Sequence, residues 1–230
     1  MKLQQVAAVA ALVAVALAAT TASAVTFEVS NTASSTAGGQ RFDQAFGLDY
    51  SKQVLSDAST FIWAIFNQPS EADRRPVDTV TLVVEDIGER IAFTIGNGIH
   101  LGAQYVGGIS GDVKTEVSGV LYHEAVHVWQ WGLQDYDVHP WIFEGIADYV
   151  RLKADYVPGH WVAAGGGDKW DKGYDVTARF LDYCDSLKAG FVAEMNGKLR
   201  DGYSDDYFVQ ILGKSVEQLW NDYKAKYSQG

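Results

Sequence analysis

His123 and His127 enclose Glu124 and two further residues in the run His123-Glu124-Ala125-Val126-His127. This spacing constrains the fold more than any other feature, because only a helix stacks residues i and i+4 on one face. The surrounding segment, TEVSGVLYHEAVHVWQW from Thr115 to Trp131, can hold that helix, with Asp112 to cap its start and Gly132 to stop it. On such a helix both imidazoles can reach one Zn²⁺ at about 2.0 to 2.1 Å. Glu124 then points beside the ion, where it can accept a proton from water that the metal has made more acidic. His123 and His127 are therefore expected metal ligands, and Glu124 the expected catalytic base.

A catalytic zinc takes three protein ligands and keeps a fourth position open. Glu144 follows His127 by 17 residues and opens the next helical pattern, and Asp148 lies one turn further on the same face. Glu144 is the expected third ligand. Asp148 is placed to accept the free ring N–H of a ligating histidine, which fixes its tautomer. The longer metzincin pattern, with glycine three residues after the second histidine and a ligand six after it, is excluded because Gln130 and Leu133 stand there. Asp137 and His139, on the connection between the two helices, are rival third donors held less rigidly than a helical residue.

Residues 1–24 combine one early lysine, an apolar run from Val6 to Ala19, and the small residues Ala22-Ser23-Ala24. They read as a signal peptide that is removed, leaving residues 25–230 as a single domain. The run is shorter than the roughly 20 apolar residues that a bilayer requires. Without Lys2 the chain keeps 17 basic against 29 acidic side chains, a net charge of −12. It has no basic cluster, which excludes nucleic acid as a partner. Cys184 is the single cysteine, so no internal disulfide supports the fold. The mature part contains no Asn-x-Ser/Thr glycosylation signal.

Val25 to Val29 alternates as a strand, and the Ser/Thr/Gly-rich stretch 31–40 reads as a loop. Asp49 to Phe66 has helical spacing. Val77 to Glu85, Ile91 to Ile95 and Ile99 to Val106 read as neighbouring strands, the last a possible edge for an extended peptide. Helices follow at Phe143–Ala154, Val176–Ala189, Phe191–Leu199 and Val216–Tyr227, with a long Gly/Trp-rich loop, Val157–Tyr174, between the first two. Strands first and helices after give an α+β class: a small mixed N-terminal sheet with helices, the metal-site helix, and a mostly helical C-terminal part.

YHEAVHVWQWG, EGIADYVRLKADYVPGHWV, GDKWDKGYDVTARFLDYC and LGKSVEQLWNDYKAKY together resemble the plant basic secretory protein family. The resemblance begins near VTFEVSNTASSTAGGQRF and so extends over the mature chain. It implies a zincin-like, gluzincin-type secreted peptidase with His123, His127 and Glu144 on zinc, Glu124 as base and Asp148 behind a histidine. It also implies an apoplastic location and a role in plant defence. The chain departs from the family's name in being acidic, and its linker Leu133–Trp141 (LQDYDVHPW) is acidic and aromatic.

The expected reaction is hydrolysis of peptide bonds in a peptide or protein substrate by a monomer that contacts no membrane after leader removal. An oxyanion also needs a side-chain donor, for which Tyr174 and His160, in or beside the Gly-rich loop, are the candidates. Two rival readings remain. One is a weak or inactive defence-related binding protein with a retained structural metal, in which Trp161 and Trp170 offer a carbohydrate surface. The other is a metal-dependent hydrolase of a non-peptide amide or ester.

Overall fold

A computed structural model describes residues 25–228, so the expected signal peptide lies outside the described residues. Strands β1 (Thr26–Asn31), β2 (Thr79–Glu85), β3 (Ala92–Ile95) and β4 (Gly98–Gly102) form one sheet in the order β1-β2-β4-β3. β1 and β4 run parallel to β2, and β3 closes the sheet antiparallel to β4. In β2 the alternation is strict: Val80, Leu82 and Val84 point into the core and their neighbours point out. The same face of β4 supplies Ile99 and Leu101.

Parallel pairing of β1 with β2 requires a crossover, supplied by α1 (Ala37–Ala45) and α2 (Leu48–Ile65). Here three expectations are corrected. The Ser/Thr/Gly-rich stretch is a loop only to Thr36, whose side chain caps α1 by accepting from Gly39 N at 3.0 Å. The glycines that suggest a loop serve close packing instead: a Cβ at Gly38 would lie 1.8 Å from the Ala103 carbonyl oxygen. The run after Ile99 stays extended only to Gly102 and then turns into α3 (Ala103–Gly108), the element α1 packs against. β4 is also no edge, being paired on both sides; the edge nearest the helical part is β3.

Helix α4 (Val113–Trp129) is the axis of the molecule. It packs against α2, β3 and α5 (Pro140–Lys153). Consequently it is buried around its circumference along nearly all of Val117–Trp129, with His123, Glu124 and His127 as a polar group inside that burial. Its cap is as expected, with Asp112 accepting from Lys114 N and Thr115 N. Beyond α5 come α6 (Tyr174–Leu187), α7 (Phe191–Lys198), α8 (Asp206–Leu212) and α9 (Val216–Tyr227). α8 is absent from the expected elements. Trp129 Nε1 donates to Ser59 Oγ at 3.0 Å, pinning α4 to α2 inside the core. The result is the expected α+β class, with the sheet at the N-terminal end and helices thereafter. Among the described residues no helix is long and apolar enough to cross a membrane.

Candidate metal centre

The two histidines of α4 project from adjacent turns toward α5, their ring centroids 5.1 Å apart. Glu144 meets them from α5. His123 Nε2 lies 3.0 Å from Glu144 Oε2, and His127 Nε2 lies 3.7 Å from Glu144 Oε1. One ligand atom from each of the three residues falls within 4.8 Å of the others. His123 is 9% exposed, His127 8% and Glu144 6%, so the cluster sits at the floor of a cleft rather than on the surface.

The outer ring atoms are engaged in a way that turns both Nε2 atoms inward. His123 Nδ1–H donates to Asp148 Oδ1 at 2.7 Å, and His127 Nδ1–H donates to Gln130 Oε1 at 2.9 Å. Tyr136 O–H donates to Glu144 Oε1. Burial opposes charge on the His123 imidazole, but the Asp148 and Glu144 carboxylates outweigh it and raise its pKa well above the ordinary value. Glu144 behaves conversely: burial pushes it up, yet the bond from His123 and the charges of both histidines hold it down at about 2. Burial, then the neighbouring His123 charge, lowers His127. The carboxylates thus favour positive charge on His123, while His127 is biased toward the neutral imidazole that can coordinate a metal.

These residues fit a divalent metal. Two imidazole nitrogens and a carboxylate oxygen converge, the tautomers are set by partners behind them, and three carboxylates (Glu124, Glu144, Asp148) crowd two imidazoles in a buried site. Unbalanced buried carboxylates are costly unless they pair or coordinate a metal. A two-histidine, one-glutamate donor set with such backing is the one found around catalytic zinc.

A cavity of about 1230 Å³ opens over the cluster. Its walls are β3 and its flanks on one side, and Tyr136, His160, Trp161 and Tyr174 on the other. Glu124 is 7% exposed and lines the floor beside the histidines. Thr94 Oγ1 donates to its Oε2 at 2.7 Å. Tyr174 stacks over His123, with centroids 6.1 Å apart and planes 10° apart. Burial raises the Tyr174 hydroxyl, which keeps it a proton donor at neutral pH. His160 lines the cavity from an exposed position on the Gly-rich loop. The rival third donors stand apart from the ligand atoms: Asp137 lines the cavity wall, and the His139 ring packs on Tyr203 at 4.8 Å. Trp161 and Trp170 form no flat exposed platform. Both are half-buried, the first near the Arg151 guanidinium and the second edge-on to Trp141.

Three residues with polar roles here escape a sequence reading. Gln130 lies three positions after His127, so helical spacing could have singled it out. Thr94 and Tyr136 reach the site from other segments, and no local pattern marks them.

Fold and site together define an α+β protein with a buried His-His-Glu cluster on two packed helices, open to a long cleft. The profile of the family described as "Peptidase of plants and bacteria" matches residues 22–223, and the chain belongs to that family. This is the basic secretory protein family that the motifs resemble. The chain is also similar to a "Basic secretory protease" from Boswellia serrata, 52% identical over 59 residues, which are 26% of this chain and 67% of that protein. No solved structure matches the chain.

Proposed function

We propose that this protein is a secreted zinc-dependent endopeptidase of one domain, residues 25–230, with Glu124 as its general base. The observation that carries the reading is the convergence of His123 Nε2, His127 Nε2 and the Glu144 carboxylate beside Glu124, at the floor of a cleft bordered by an edge strand. His123, His127 and Glu144 would hold the zinc, which when bound would supply Lewis-acid polarisation of a carbonyl and a water acidic enough to attack near neutral pH.

The chain's own groups do the rest. Asp148 and Gln130 keep the Nε2 atoms of both histidines turned toward the metal. The Glu124 carboxylate takes the proton of the attacking water and gives it to the leaving amine. Tyr174, neutral and stacked over His123, is the side-chain donor for the developing oxyanion. His160, the other candidate donor, lines the same cavity from an exposed position. An extended peptide lies along the free edge of β3, where main-chain hydrogen bonds hold it irrespective of sequence. Secretion, to the apoplast, is supported by the leader-like residues 1–24 and the secretory name of the Boswellia relative, and the defence role rests on the family resemblance alone.

The test is to measure zinc content and cleavage of casein and of fluorogenic peptides for the wild type and for Glu124→Gln. One zinc per chain in both, with cleavage at least about 10³-fold slower in the variant, is expected. Zinc in both with no Glu124-dependent cleavage would favour a binding protein with a retained metal. Zinc lost on His139→Ala but kept on Glu144→Ala would overturn the ligand set.

A further inference from the structure

We infer that Thr94 is a positioning residue that fixes which oxygen of Glu124 carries the proton in the reaction; this rests on the general-base reading of Glu124 above. Thr94 lies on β3, opposite Ile99 of β4. The sheet thus holds its backbone, and β3 packs directly on α4. Its hydroxyl is 2.7 Å from Glu124 Oε2 and 3.1 Å from the Glu124 carbonyl oxygen. A threonine hydroxyl has one proton to donate. The carboxylate oxygen is nearer and charged, and charge-assisted bonds are the stronger kind.

The consequence follows from the chemistry of a carboxylate. Each carboxylate oxygen has two lone pairs, but the bond from Thr94 lowers the basicity of Oε2, so Oε1 is the more basic oxygen and the one that receives a proton from water. That same atom then gives the proton to the leaving nitrogen. Without the hydroxyl, the terminal torsion of a glutamate is broad and roughly two-fold, and the base loses its fixed aim. Thr94 also lines the cavity, so the strand that borders the bound peptide and the group that activates water are joined by one hydrogen bond.

An ordinary packing role for Thr94 makes a different prediction from a positioning role, which allows a clean test. Thr94→Val keeps the shape and removes the hydroxyl; Thr94→Ser keeps the hydroxyl. The positioning role predicts that Thr94→Val lowers kcat about ten- to hundred-fold, the worth of one hydrogen bond to a charged group. KM should stay within roughly two-fold, as for an interaction that matters in the transition state. Zinc content and melting temperature should match the wild type, and Thr94→Ser should recover most of kcat. Unchanged kcat in Thr94→Val overturns the inference, as does a loss confined to KM or to melting temperature, or a serine variant as slow as the valine one. Glu124→Gln measured in parallel separates the two levels: if it cleaves at the wild-type rate, the general-base reading itself fails. If it is inactive while Thr94→Val is unimpaired, only the role of Thr94 fails.

Discussion

Asp148 is not itself an expected metal ligand but stands directly behind one, and replacing it should weaken metal binding by a calculable amount. Its Oδ1 accepts from His123 Nδ1 at 2.7 Å, and the residue is 3% exposed. Loss of such a partner behind a ligating histidine costs about 10- to 100-fold in metal affinity, or about 1.4 to 2.7 kcal/mol. In the metal-free protein, Asp148→Ala also strips a buried charge of its partner, a change of about 3 to 5 kcal/mol. At roughly 2 to 4 °C per kcal/mol for a chain of this size, metal-free melting should fall by about 6 to 20 °C. Asp148→Asn keeps an acceptor oxygen but not the charge. Charge-assisted bonds being roughly twice as strong as neutral ones, its zinc affinity should fall between the wild type and the alanine variant. The assay is zinc titration against a chromophoric chelator at fixed pH, with thermal melting of the metal-free proteins alongside. A folded Asp148→Ala that binds zinc within two-fold of the wild type would refute the reasoning.

Three further outcomes are expected. Exhaustive chelation should abolish peptide cleavage and lower the melting temperature, and zinc added back should restore both. With zinc at about 1,000 times its Kd the ion contributes about 4 kcal/mol of stability, and full activity after metal depletion would contradict the site. Gly145→Ala should destabilise, because its Cβ would lie 2.3 Å from Thr177 Cγ2. Thr177 cannot swing away, since its hydroxyl is held by Gly173 N and Trp170 O. Overpacking of about 1 to 3 kcal/mol against a helix-propensity gain of at most about 1 should appear as a lowered melting temperature, and an unchanged one would disprove the contact. Cys184 is fully buried, and that burial pushes its thiol up. A thiol reagent should therefore label the chain only after denaturation, one group per chain, and rapid labelling of native protein would count against the packing of α6.

Much of this was legible in the chain itself. A four-residue histidine spacing states its own geometry, and Glu144 and Asp148 repeat that helical logic on the next element. Other features depend on what meets what across long separations. Gly38 and Gly39 carry the signature of a loop, and only the Ala103 carbonyl against the first and the Ala33 carbonyl against the second turn them into packing residues. The run from Ile99 to Val106 has strand-like composition, but Gly102 ends the strand and the chain turns into α3. Strand order is likewise a property of the whole sheet: the run from Ile99 reads as a possible edge, whereas β4 is paired on both sides and the edges are β1 and β3. Thr94 and Glu124 are 30 positions apart, and Tyr136 reaches Glu144 from the connection between two helices. No period or motif encodes such meetings.

The separation of β3 from the ligand helices also bears on how such a protein can diversify. Residues 91–96 shape one wall of the cleft, whereas the proposed metal donors lie on α4 and α5, and the two sets are encoded in different stretches of the chain. On the proposed function, mutations in this wall would change which peptides are preferred while the His-His-Glu cluster is inherited intact. Thr94 is where that independence ends: a substitution there reaches both partner choice and chemical power, so selection should tolerate drift on either side of it far more readily than at it.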